Sequence, residues 1–129
     1  MIPRDAAVTL EQLAAGFPVV AVTGPRQSGK STLVRAVFSR HPYVSLEDPD
    51  RRESAADDPR GFLDQYPRGA ILDEVQRCPA LLSYLQTRVD ASGWLGEWIL
   101  TSSQQFGMLS PADLIIDRAG VLQPVEIKS

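Results

Sequence analysis

The chain has one cysteine, Cys78, and one histidine, His41, in 129 residues. A single cysteine cannot close an internal disulfide, and beside Pro79 it reads as a small apolar side chain rather than a reactive thiol. The lone histidine has no ligand partners nearby in sequence, so it reads as a loop residue and not as part of a metal centre. No apolar run approaches the length needed to cross a bilayer, and Met1-Ile2-Pro3-Arg4-Asp5 lacks the apolar stretch of a signal peptide. A cytoplasmic location is therefore expected, with no membrane partner. Basic excess is also missing: the formal net charge is −3. Bulk electrostatics would repel nucleic acid, and no Lys/Arg run supplies a local patch to bind it.

What remains is an ordinary soluble composition, 43% hydrophobic and 22% charged. A chain of this length forms one domain and buries roughly 70% of the surface its unfolded form exposes.

The most informative stretch is Gly24-Pro25-Arg26-Gln27-Ser28-Gly29-Lys30-Ser31, which fits the phosphate-binding P-loop pattern. Val19-Val20-Ala21-Val22 before it is apolar and β-branched, as a buried parallel strand should be. Leu33, Val34, Val37 and Phe38 after it fall at helical spacing. In this strand, loop and helix order, the glycines let the backbone wrap phosphate oxygens, and the helix N-terminus adds partial positive charge. Lys30 would neutralise the β- and γ-phosphates, Ser31 would place its hydroxyl on magnesium, and Thr32 follows within the same first turn.

A second informative stretch is Gly69-Ala70-Ile71-Leu72-Asp73-Glu74, a short apolar strand ending in two acids. Open α/β sheets bind ligands at the carboxyl ends of their strands. Asp73 suits a role in holding magnesium, and Glu74 suits polarising an attacking water. Beyond Trp98-Ile99-Leu100-Thr101, another strand, the polar exit Ser102-Ser103-Gln104-Gln105 would lie near a γ-phosphate, although turn chemistry explains such residues equally well.

The remaining pattern predicts supporting elements. Thr9-Leu10-Glu11-Gln12 reads as a capping box opening a small helix that stops at Gly16. Tyr43-Val44-Ser45-Leu46 reads as a second strand. Asp48-Pro49 and Asp58-Pro59 each pair an N-cap with proline at the first helical position, predicting helices over 49–57 and 59–66. Leu81, Leu82, Leu85 and Val89 make one apolar helical face. Strands are expected near 18–23, 43–46, 69–73 and 97–102.

With these residues in view, positions 17–110 resemble the nucleotide-binding domain of a prokaryotic AAA-type ATPase family whose C-terminal part is called DUF4143. The resemblance rests on Gly24-Pro25-Arg26-Gln27, Leu46-Glu47-Asp48, Asp57-Asp58-Pro59, Phe62-Leu63, Asp73-Glu74-Val75-Gln76 and Leu81-Leu82-Ser83-Tyr84-Leu85-Gln86. Ile99 to Phe106 resembles the family's sensor segment, which usually has glycine where this chain has Ser102. After Ser110 the family continues into an arginine-bearing stretch and a long middle region. Here, residues 112–117 and 121–128 instead resemble the last module directly. The resemblance implies a chain internally deleted and C-terminally shortened relative to the family, with a nucleotide-binding part expected over 1–110 and a hairpin remnant expected over 111–129. A catalytic arginine is worth about 10³- to 10⁵-fold in rate in related enzymes, so binding is expected to survive better than turnover.

The tail carries a rival reading. Asp113, Glu126 and Lys128 resemble the acid, acid-x-lysine arrangement of PD-(D/E)xK nuclease-like folds, where carboxylates hold a metal and lysine assists water. Glu126 and Lys128 share a strand face. Asp113 joins them with a two-residue hairpin loop and points away with a three-residue loop bulged at Gly120. Pro124 restricts its strand to an edge or an irregular position.

The fold expectation is therefore an α/β, P-loop NTPase-type, mainly parallel sheet flanked by helices, incomplete, with a C-terminal β-hairpin. The functional expectation is binding of ATP or ADP with Mg2+ and weak or lost hydrolysis. The alternatives are a non-catalytic remnant of a larger ATPase and a metal-dependent nuclease-like module.

Overall fold

The computed structural model describes residues 4–25, 29–103 and 122–126, with the backbone alone at 4–5 and 122–126. Five strands, β1 (Val19–Thr23), β2 (Tyr43–Ser45), β3 (Ala70–Asp73), β4 (Trp98–Ser102) and β5 (Leu122–Glu126), form one sheet in the order β2-β3-β4-β1-β5. Every ladder is parallel. The three strands β3, β4 and β1 are buried along their whole length, which is why they are apolar runs rather than alternating ones. Because all strands run the same way, Thr23, Ser45, Asp73 and Ser102 leave the sheet along one edge. The register pairs Ser45 with Asp73 and Thr23 with Ser102.

Helices cover both faces, and the strand alternation sorts the core into two clusters. Val20, Val22, Ile71 and Ile99 pack with Leu10 of α1 (Arg4–Gly16) and with Leu33 and Val34 of α2 (Lys30–Val37). Val19, Ala21, Val44, Leu72 and Leu100 pack on the other face with Ala55 of α3 (Pro49–Asp57), Phe62 and Leu63 of α4 (Pro59–Asp64), and Leu81, Leu82, Leu85 and Val89 of α5 (Leu81–Ser92). Each such leucine contributes about 1.5–3 kcal/mol by leaving water.

The expected caps form. Asp48 accepts a hydrogen bond from the Asp50 amide at 3.0 Å, and Asp58 accepts one from the Gly61 amide at 3.1 Å. Gly93 ends α5 at φ 67°, with its amide on the Val89 carbonyl. The α4 helix stops at Asp64 rather than 66, because Gln65 bonds back to Phe62 in a tighter turn.

One expectation fails. Thr9 does not open the first helix, which starts at Arg4 and runs through it. Ala6 and Ala7 pack with Leu10, Leu13 and Ala14 against the same cluster, so the apolar stripe extends a full turn upstream of the supposed cap.

The second arm of the expected terminal hairpin is β5, which extends the sheet as an edge strand paired parallel to β1. Pro124, opposite Ala21, is tolerated because an edge strand needs ladder bonds on one side only. The first arm, with Asp113, lies outside the described residues, as does Lys128.

Replacing Asp58 with Ala should lower stability by about 1 kcal/mol, with Asp58→Asn close to the parent, since Asn caps as well as Asp. Urea unfolding followed by circular dichroism measures this, and equal losses in both variants would show that the cap is not what the carboxylate contributes.

Candidate functional site

The site is built where β1, β3 and β4 end beneath the N-terminus of α2. Gly29 takes φ 88°, a left-handed conformation suited to glycine, and no side chain caps the helix that follows. Lys30 and Ser31 begin that helix, with Lys30 only 3% exposed. Asp73 and Glu74 are 4% and 3% exposed.

Successive strand residues point to opposite faces, so adjacent acids would normally diverge. Glu74 leaves the strand at φ 57°, the one non-glycine positive φ among the described residues. Such a conformation costs about 1–3 kcal/mol and is held by its surroundings. Here the Glu74 amide donates to the Thr101 hydroxyl at 2.9 Å. The turn lets both acids reach the start of α2: the Ser31 hydroxyl donates to Asp73 Oδ1 at 2.6 Å, and the Lys30 ammonium lies 3.2 Å from Glu74 Oε2.

Three hydroxyls converge on Asp73. Thr101 also donates to Oδ1 at 2.6 Å, and Tyr43 donates to Oδ2 at 2.9 Å. Burial, that hydrogen bond and the carboxylate's charge push the Tyr43 phenol up to about 12. Arg35 lies over its ring, 4.3 Å from the centroid.

Glu74 is held as firmly. Its Oε1 accepts from the Gln76 side chain at 2.8 Å and from the Ser103 amide at 2.9 Å, while Gln76 also reaches the Ser103 hydroxyl at 3.1 Å. Burial alone would raise the Glu74 pKa. The Gln76 hydrogen bond, the Lys30 charge and the Ser103 bonds outweigh it and hold the carboxyl below its ordinary value. Across the edge, the Gly24 amide donates to the Ser102 carbonyl at 3.2 Å, tying the end of β1 to β4.

The structure thus brings Lys30, Ser31, Asp73, Glu74 and Ser103 together. Gly24 is buried beside them, Pro25 and Gly29 are exposed at the loop's ends, and Thr32 faces outward on α2. Arg26, Gln27, Ser28 and Gln104 lie outside the described residues. Sequence reasoning missed Tyr43, Thr101 and Gln76 as site residues. Period-two alternation places Thr101 on the face of Ile99, and thus of Ile71 and Asp73, which is a readable signal. Gln76 follows two residues after Glu74.

Ser31 and Asp73 offer adjacent hard oxygen donors. No group of three histidine, cysteine, aspartate or glutamate side chains among the described residues could hold a metal unaided. That donor set fits magnesium, which takes one or two protein ligands and leaves the rest to phosphate and water.

A parallel sheet of this order with a glycine-bounded loop feeding a helix and two acids on a nearby strand defines a P-loop ATPase fold. Its likeness to solved structures agrees. The AMPPCP-bound DnaA from Aquifex aeolicus matches with TM-score 0.65 and 18% identity over 95% of this chain and 44% of that one. A DNA replication initiation factor matches with TM-score 0.62 and 16% identity, over 95% and 44%. The Walker-type ATPase of Pyrococcus abyssi matches with TM-score 0.56 and 16% identity, over 97% and 53%. Uncharacterized proteins of Mycobacterium bovis and Mycobacterium tuberculosis are each 39% identical over 89 residues, 67% of this chain. The chain spans 20% of the length of these curated relatives. The family model described as AAA domain matches residues 16–123, and the chain belongs to that AAA-type ATPase family.

The depressed Glu74 value fixes the sign of a pH effect. Its bond from Gln76, its ion pair with Lys30 and its bonds from Ser103 stabilise the fold above the ordinary carboxylate value of 4.5, and that contribution is lost as pH falls through the lower folded value. Urea unfolding between about pH 3 and about pH 7 should show this acid limb in the parent and a flatter one in Glu74→Gln. Identical limbs would mean that the Glu74 carboxylate is not held by these partners in solution.

Proposed function

We propose that this chain binds ATP together with magnesium at the loop joining β1 to α2, and that its own hydrolysis is slow. The observation carrying this reading is the meeting of Lys30, Ser31, Asp73 and Glu74 at one point, contributed by two elements far apart in sequence.

In this reading the amides opening α2 and the Lys30 ammonium receive the β- and γ-phosphates. Ser31 and Asp73 would hold magnesium, which when bound neutralises developing charge on the phosphate oxygens. Ser31 would offer that ion a hydroxyl lone pair. Glu74 is the group placed to orient an attacking water and take its proton, with Gln76 and Ser103 fixing its carboxylate. Slow hydrolysis is proposed because residues 111–129 do not resemble the arginine-bearing stretch that follows the sensor segment in the family, and such an arginine is worth about 10³- to 10⁵-fold in rate.

Calorimetry with Mg-ATP is expected to give one binding event in the parent, weakened at least about tenfold in Lys30→Ala. Glu74→Gln should keep binding while phosphate release, already slow, falls to background. Equal affinity in the parent and Lys30→Ala would overturn the assignment of the loop. Phosphate release that survives Glu74→Gln would overturn the role given to that acid.

A further inference from the structure

Resting on the reading of the site as one for magnesium nucleotide, we infer that Tyr43 is a positioning residue for the metal: its phenol fixes the rotation of the Asp73 carboxylate so that Oδ1 faces Ser31. The two carboxylate oxygens have separate partners. Oδ1 receives Ser31 and Thr101, each at 2.6 Å, and is the oxygen beside the proposed magnesium position. Oδ2 receives Tyr43 at 2.9 Å. Without a donor on Oδ2, the carboxylate is held through Oδ1 alone, and its broad terminal torsion is no longer fixed from both ends.

Tyr43 reaches Asp73 although the register pairs it with Ile71 and pairs Asp73 with Ser45. The phenol therefore spans two residues along the strand direction. Its ring is held for that reach by the Arg35 guanidinium stacked 4.3 Å from its centroid, one turn after Ser31 on α2. An ordinary core role does not explain this placement, since Tyr43 is 37% exposed and contributes to neither apolar cluster. The site thus has an anchor on the edge strand β2, outside the loop and acid motifs.

The test separates metal from nucleotide. ADP affinity is measured first in EDTA, and then the uptake of manganese(II), as the probe ion, by the ADP-loaded chain is followed by electron paramagnetic resonance. Tyr43→Phe keeps the ring and its Arg35 contact and removes the hydroxyl alone. The expected result is metal-free ADP affinity within twofold of the parent and manganese affinity weaker by about three- to tenfold. Tyr43→Leu should weaken manganese binding at least as much, and melting temperature followed alongside detects any general loosening. Manganese affinity unchanged within twofold in Tyr43→Phe would overturn the inference. Parallel loss of metal-free ADP affinity would also overturn it, in favour of a plain structural role. A parent chain that takes up ADP in neither condition would instead refute the nucleotide reading and carry this inference down with it.

Discussion

The buried pair between the Lys30 ammonium and the Glu74 carboxylate, 3.2 Å apart, is the contact on which the rest of the site depends. Neither charge is tolerable alone at 3–4% exposure, because desolvation costs several kcal/mol per ion and is offset only by a close partner and further hydrogen bonds. Glu74 finds those bonds in Gln76 and Ser103. The pair also joins the start of α2 to the end of β3. A ligand able to replace the carboxylate at Lys30 must itself bring negative charge and several acceptors, a description that a polyphosphate satisfies.

The sheet makes this convergence possible. All ladders are parallel, so the polar ends of β1, β3 and β4 collect on one edge while their apolar lengths are sealed between two helical layers. The strain at Glu74 belongs to the same arrangement: a left-handed residue at the strand end lets two consecutive acids serve one site. Its cost is met by the Thr101 hydroxyl, which accepts from the Glu74 amide and donates to Asp73. One side chain therefore fixes both acids. At the far side β5 completes the sheet beside β1, in the edge position that Pro124 allows.

Much of this was legible from residues alone, and the reasons are local. β1, β3 and β4 are short β-branched or aliphatic runs with sharp boundaries, and Asp48-Pro49 and Asp58-Pro59 announce helices by two signals each. The loop has a fixed spacing pattern and the acids end an apolar strand downstream of it, so their meeting was expected. The start of α1 was not legible, since a good capping box at Thr9 outweighed the weak apolar signal of Ala6 and Ala7. Tyr43 was hidden for a different reason: its partner is two register positions away on a neighbouring strand, a relation that requires knowing both strand order and alignment. Gln76 acts through geometry that the turn at Glu74 creates, whereas strand alternation alone places Thr101 on the face of Asp73.

The most direct test of the central claim is a backbone amide spectrum of the chain with and without Mg-ADP. The amides of Gly29, Lys30 and Ser31 at the opening of α2 should shift together with those of Glu74 and Ser103 across the edge. Shifts confined to other parts of the chain, or none at saturating nucleotide, would contradict it.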